Sequence, residues 1–318
     1  MRIIFMGTPE FAVPSLRMLL AQGDEYEVAA VVTQPDRPKG RKRVLTPSPV
    51  KAFALEQGLA VLQPEKLRAA EAVRELADFR SDLIVTAAYG QILSRSVLAL
   101  PRLGCVNVHG SLLPKYRGGA PIQRCVIAGE RVTGVTLMYM AEGLDTGDMI
   151  ARVEVPIGDE DTAGSLFGKL SVAGAELLRA WLPRIAAGTA PREPQRDADA
   201  TYAPNLTRED ERIDWAGSAR DIFNRVRGLN PMAGGFSFWN GEVFKVWSCR
   251  APDDVEAIQP GWADMPFGTV LESGAFGIRV RTGDGSIVLT EVQPAGRKAL
   301  AAAEFAKGAR LAPGTVFG

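Results

Sequence analysis

Residues 81–90 read "SDLIVTAAYG". From Leu83 to Ala88 the run is apolar at odd and even positions alike, broken only by Thr86, and Gly90 closes it. Alternation would mark a strand with one wet face. Its absence over so short a run predicts a strand buried on both faces. RIIFM (2–6), VAAVVTQ (28–34), LAVLQ (59–63) and CVNVH (105–109) share that character. Amphipathic stretches separate them. Leu16, Leu19 and Leu20 recur at helical spacing up to about residue 22, with Thr8 as expected N-cap and Pro9 in the first turn. Further helices are predicted over about 49–58 and 67–78. Strands and helices in alternation predict an α/β fold of Rossmann-like type, a mostly parallel sheet with helices on both faces. TGVTLMYM (133–140) and DMIARVEVPI (148–157) add two strands, and a leucine stripe predicts a long helix over about 162–182.

Beyond that helix the pattern changes. Residues 189–205 are polar, Pro-rich and without periodicity, which predicts a linker between a catalytic domain (1–188) and a C-terminal domain (206–318). In the latter, a helix near 218–226 precedes GEVFKVWSCR (241–250), FGTVLES (267–273), GIRVRTG (277–283) and SIVLTEVQPAG (286–296). Short strands separated by Gly-rich turns predict a small antiparallel β-barrel, OB-like in kind. A length of 318 residues suits two domains, and 46% hydrophobic against 23% charged residues suits a packed core. No apolar run reaches the ~18 residues of a membrane span. The opening MRIIFMGTPEF leads into a strand and lacks the layout of a signal peptide. Cys105, Cys125 and Cys249 are odd in number and far apart, so no disulfide framework is expected; with one histidine they make no zinc spacing. A cytoplasmic protein without membrane or metal is expected.

The formal net charge of zero argues against a surface coated in positive charge for nucleic acid. Residues 34–51 nevertheless gather Arg37, Lys39, Arg41, Lys42, Arg43 and Lys51 against the single acid Asp36. With four prolines and a glycine, this stretch reads as an extended arm reaching for phosphates. Residues 207–318 hold 13 Lys and Arg against 14 Asp and Glu, so only a one-sided patch such as Arg297, Lys298, Lys307 and Arg310 would attract an anion there.

Working groups of a parallel sheet sit beyond the carboxyl ends of its strands, where Gly7, Tyr89, Gly90, His109 and Gly110 fall. His109 is the chain's one histidine. Asn107 and His109 are two apart in a strand and share a face. An amide donor beside an imidazole suits carbonyl chemistry, one group for an oxyanion and the other for a proton. EGLDTGD (142–148) offers Asp145 and Asp148, and a carboxylate near His109 would orient the ring. On spacing alone, an ordinary hydrogen-bonded histidine and turn-forming aspartates fit as well. A nicotinamide-dependent dehydrogenase is disfavoured, because Gly7-Thr8-Pro9 lacks the G-x-G-x-x-G fingerprint.

The longer motif decides between them. Asn-x-His-x-Ser-Leu-Leu-Pro (107–114) followed by Arg-Gly-x-x-Pro-Ile (117–122) resembles the signature of the tetrahydrofolate-dependent formyltransferases. RIIFMGTPEFA, TQPDRPKGR, PSPVK, AYGQIL, GLDTGDM, RIDW, FKVW, TGDG and QPAGRKAL extend the resemblance over nearly the whole chain, toward the branch acting on methionyl-tRNA. The resemblance implies transfer of formyl from 10-formyltetrahydrofolate to the α-amino group of methionine on initiator tRNA, for translation initiation, with no metal. It implies Asn107, His109 and Asp145 as the catalytic set, and Ser111, Leu112, Leu113 and Pro114, with Tyr89 and Gly90, as the folate site. It also implies tRNA contacts from Arg37, Lys39, Arg41, Lys42 and Arg43, with Arg41 foremost, and from Arg297 and Lys298. Asn107 and a protonated His109 would bind the oxyanion, Asp145 would hold His109, and His109 or water would return a proton to the folate N10. A monomer is expected. Asn230-Pro231-Met232-Ala233 departs from the family's aromatic pattern there. A relative acting on a sugar amine or glycinamide ribonucleotide would lack the basic stretch and the barrel. A non-catalytic RNA-binding protein would have no need of the Asn-His-Asp set.

Overall fold

A computed structural model of the protein describes residues 1–40, 43–252 and 261–318. In chain order its first strands are β1 (Arg2–Gly7), β2 (Glu27–Val32), β3 (Arg37–Lys39), β4 (Val44–Thr46), β5 (Val61–Leu62), β6 (Leu83–Ala87), β7 (Cys105–His109), β8 (Val132–Tyr139) and β9 (Met149–Pro156). The helices among and after them are α1 (Val13–Leu20), α2 (Pro49–Glu56), α3 (Ala70–Asp78), α4 (Arg95–Leu98), α5 (Pro121–Ile127) and α6 (Ala163–Ala186). The chain divides into two compact units. The first comprises Met1–Pro121, Val132–Pro156 and Phe167–Pro204; the second comprises Ile122–Arg131, Ile157–Leu166 and Asn205–Gly318.

The first unit is built on a seven-stranded sheet of order β5-β2-β1-β6-β7-β8-β9. From β5 to β7 the neighbours run parallel, and β8 and β9 close the far edge as an antiparallel pair. Every residue of β6 is buried, which is the reason its sequence shows no alternation. From β1 the chain winds outward to β2 and β5, then returns to β6. The direction of winding therefore reverses between β1 and β6, and a crevice is expected at their carboxyl ends. The loops leaving those ends are tied together. Thr8 Oγ1 donates to Tyr89 O at 2.8 Å, and Gln34 Nε2 donates to the same carbonyl at 3.2 Å. Thr8 is thus not a helix cap. Pro9 keeps an extended backbone, a 3-10 turn follows over Glu10–Ala12, and α1 starts only at Val13. On the sheet's other flank α6 lies close to β7 because residue 174 is glycine: a Cβ there would stand 2.7 Å from Val108 Cγ1.

Two stretches differ from their sequence reading. The basic stretch is not an extended arm. Arg37 pairs with Thr46, Pro38 with Leu45 and Lys39 with Val44, making β3 and β4 a short hairpin. Val44-Leu45-Thr46 supplies the partner strand, and Gly40 and Arg43 turn the chain with φ of 68° and 50°. The stretch read as a linker, 189–205, is docked on the first unit up to Pro204. Glu193 exchanges both backbone hydrogen bonds with Met149, at 2.8 and 3.0 Å. Arg117 donates its N–H to Thr201 O at 2.8 Å and accepts from Ala203 N at 2.7 Å. Such bonds use the backbone and leave no periodicity in the side chains.

The second unit contains α7 (Ala219–Leu229), β10 (Gly235–Trp239), β11 (Glu242–Cys249), β12 (Val270–Gly274), β13 (Gly277–Arg281), β14 (Ser286–Pro294), β15 (Leu300–Ala301) and α8 (Ala302–Ala309). Its sheet is antiparallel, in the order β10-β11-β14-β13-β12, with β15 paired to β14. The last residues bridge its two edges. Val270 on β12 donates to Thr315 O at 2.7 Å, and Phe238 on β10 donates to Gly318 O at 2.8 Å. Inside, Phe244 stacks on Phe317 at 4.8 Å between centroids and Trp239 meets Phe305 edge-on at 5.1 Å.

Candidate active site

The site grows from the carboxyl end of β7. Asn107 and His109 lie two apart on that strand, both buried. The Thr86 hydroxyl, from the neighbouring β6, stands 2.8 Å from Asn107 Oδ1. With its carbonyl so engaged, the amide is oriented and its NH2 is the end left for a ligand. Thr86 carries no signal in the sequence beyond being the one polar residue in an apolar run.

His109 is held at one nitrogen and faced by a carboxylate at the other. Nε2 donates to Tyr116 O at 3.1 Å, and Asp145 Oδ2 lies 3.7 Å from Nδ1. The ring is therefore anchored by a backbone carbonyl, and Asp145 stands at ion-pair distance, beyond hydrogen-bond reach. With Nε2 carrying the hydrogen, Nδ1 is the ring nitrogen that faces the Asp145 carboxylate. Asp145 is itself fixed: Gly118 N–H donates to Oδ2 at 2.8 Å. Residue 118 is glycine of necessity, having φ of 122° and a Cβ position only 2.8 Å from Ala203 O. Asp148, the other candidate of that turn, faces Arg192 at 3.7 Å instead.

The stretch after His109 is held by its own bonds. Ser111 Oγ donates to Lys115 O at 2.7 Å, and Thr136 Oγ1 donates to Ser111 O at 2.7 Å. Ser111 and Leu113 are buried, whereas Leu112 and Pro114 are half-buried. Ser111 and Leu113 thus shape the loop, and Leu112 and Pro114 with the backbone form its accessible surface. Tyr89 and Gly90 follow β6 at the same edge of the sheet. Tyr89 belongs to the buried apolar cluster that also holds Ile4, Met6, Ile84 and Leu93. Its hydroxyl has no hydrogen-bond partner among the described residues, and burial pushes it up to about 12. Gly90, at φ of 94°, leaves its backbone open beside Gln34.

Of the basic residues, Arg37 and Arg43 are exposed on the hairpin, Arg37 facing Glu65 at 3.6 Å. Lys39 belongs to β3, and Arg41 and Lys42 lie outside the described residues. Lys51 is turned inward to Asp36 at 2.7 Å. Its ammonium, and then Gln63, hold the Asp36 carboxyl below the usual range. Arg297 and Lys298 are exposed in the turn after β14 of the second unit. Among the described residues, no three His, Cys, Asp or Glu side chains are grouped to hold a metal, and no helix is long and apolar enough to cross a membrane. Sequence reading missed Thr86, the Tyr116 carbonyl and the buried Arg117. Only Arg117 left a trace, as part of the motif at 117–122.

The family model "Formyl transferase" matches residues 1–182, and "Formyl transferase, C-terminal domain" matches residues 205–310. The protein called methionyl-tRNA formyltransferase in Bacillus subtilis (strain 168) is 48% identical over 318 residues, covering 100% of this chain and 98% of its own. That of Halalkalibacterium halodurans is 50% identical over 321 residues, with the same coverage. Among solved structures, the Helicobacter canadensis N-formyltransferase in complex with folinic acid and dTDP-3-aminofucose is similar in fold. Its TM-score is 0.65 at 19% identity, over 92% of this chain and 98% of that one.

Proposed function

The chain belongs to the formyl transferase family, and we propose that it moves the formyl group of 10-formyltetrahydrofolate onto the α-amino group of methionine carried by initiator tRNA. The observation that carries this reading is identity of 48–50% along the whole chain to proteins called methionyl-tRNA formyltransferase. The carboxyl edge of the sheet suits such a donor: Leu112 and Pro114 offer an apolar surface, Gly90 an open backbone, and Asn107 an oriented amide.

The chemistry follows from the residues. An α-amino group titrates near pH ~7.7–8, so roughly a tenth of it is already neutral and nucleophilic at pH ~7 without a metal. As the amine nitrogen bonds to the formyl carbon, the carbonyl oxygen gains charge, and Asn107 Nδ2 donates to it. His109 Nδ1 accepts the proton that the amine sheds, and Asp145 stabilises the imidazolium so formed. When the oxyanion re-forms its carbonyl, the bond from carbon to the folate N10 breaks and His109 returns its proton to N10. The products are the formylated aminoacyl-tRNA and tetrahydrofolate. Arg37, Lys39, Arg41, Lys42 and Arg43 engage acceptor-stem phosphates, supplemented by Arg297 and Lys298.

The test is His109→Ala, assayed for transfer, tRNA affinity and melting temperature. Transfer should vanish while the other two stay near wild type. A variant that unfolds, or one that still transfers, contradicts the role given to His109.

A further inference from the structure

The docked stretch 192–203 does more than return the chain across the first unit. Gln195 stands at the turn that carries Asp145. Its Nε2 donates one hydrogen to Asp145 O and the other to Gly147 O, both at 2.8 Å. Its Oε1 accepts from Arg117 Nε at 3.0 Å. Both donors and the acceptor of the amide are thus in use, which leaves the side chain one orientation. Arg117 is 2% exposed and donates a second bond to the exposed Asp197 Oδ1 at 3.0 Å, so the guanidinium that holds Gln195 is itself buried and held at two points. Asp145 benefits from such a hold. Its φ of 51° is left-handed, a region that costs an L-residue some strain, less for aspartate than for most, so bonds to its backbone help to keep it there.

Two separate constraints therefore converge on Asp145. The Gly118 N–H fixes the carboxylate at 2.8 Å, and Gln195 fixes the backbone behind it. We infer that Gln195 is a positioning residue for formyl transfer: locked by Arg117, it sets the Asp145 turn so that the carboxylate stands against His109 Nδ1. This rests on the reading that Asp145 and His109 act in the transfer. The bond from Gln195 joins residues 50 positions apart in the chain, through a segment whose composition reads as a linker.

Two variants test it. Gln195→Glu keeps the size and an oxygen for Arg117 but loses both donors to the turn. Gln195→Met keeps the length, loses every bond and adds no charge. Each is measured for kcat, for KM toward 10-formyltetrahydrofolate and toward methionyl-tRNA, and for melting temperature. Gln195→Met is also combined with Asp145→Ala. Misplacing a catalytic group by about 1 Å costs up to ~10²-fold, so kcat should fall about 10- to 100-fold in both variants. Both KM values should stay within about twofold, since ground-state binding is untouched. The double variant should be no slower than Asp145→Ala alone, because a residue acting through Asp145 has nothing left to position. Undiminished kcat in both Gln195 variants overturns the inference while leaving the catalytic reading in place. So does a double variant in which the two losses multiply, or unfolding of both single variants. Wild-type activity in Asp145→Ala overturns the inference and the reading beneath it together.

Discussion

Thr86 is the residue whose contribution can be isolated most cleanly. Its hydroxyl does no chemistry, yet of the acceptors it reaches Asn107 Oδ1 is the nearest, at 2.8 Å against 3.1 Å for Val106 O, so it is the group that can orient that amide. Thr86→Val keeps the shape of the β6 core and removes the hydroxyl. We predict that kcat falls about fivefold, equivalent to one hydrogen bond of ~1 kcal/mol felt only in the transition state, with little change in melting temperature. An unaltered kcat would mean that Asn107 needs no orienting partner. That Asn107 and His109 share a face was legible in the sequence because two-residue spacing within a strand is a geometric rule, whereas their role rested on the longer motif. Thr86 and the Tyr116 carbonyl were not legible. One is joined to Asn107 by strand pairing 21 positions away, and the other is a backbone atom that any residue would present.

At the scale of elements, β6 and its neighbours were readable because burial on both faces removes alternation. β10 and α8 were not. Gly235–Trp239 is a five-residue run opening on a glycine, and Ala302–Ala309 is an alanine-rich helix containing Gly308, so neither carries a strong apolar period. The hairpin of β3 and β4 was hidden by its prolines, although its charge was plain. That hairpin carries the prediction of this scale. Arg43 is exposed at its turn, and Arg37 makes a surface pair with Glu65, of the kind worth ~0–1 kcal/mol. Arg43→Ala should weaken tRNA binding and lower the salt slope, log affinity against log salt concentration, by about 0.9 for each phosphate that Arg43 neutralises. The turnover rate at saturating tRNA should not move. An unchanged slope would mean that Arg43 neutralises no phosphate.

Across the molecule, the two units answer different needs. The first holds the candidate chemistry, and the second depends on charge pairing for part of its cohesion. Within the second unit Arg124 grips Asp210 through two bonds of 2.8 and 2.9 Å. The Arg124 guanidinium, followed by Thr207, holds the Asp210 carboxyl down at about 2 against an ordinary value of 3.8. A carboxyl lowered in this way stabilises the folded state fully above its ordinary value, and the contribution is lost as pH falls from about 4 toward 2. The melting temperature of Asp210→Asn should therefore lie below wild type by a constant margin from about pH 8 to pH 5, and the margin should close in acid. A margin that persists at about pH 2.5 would assign the effect to packing rather than to the ion pair.

The net charge of zero makes selectivity for a polyanion a matter of placement, so the choice of tRNA tests the whole account. The most direct measurement is formyl transfer from 10-formyltetrahydrofolate to methionyl initiator tRNA, with methionyl elongator tRNA assayed beside it. The account predicts rapid formylation of the initiator and almost none of the elongator. Folded protein that formylates neither would contradict it and direct the search to another amine acceptor.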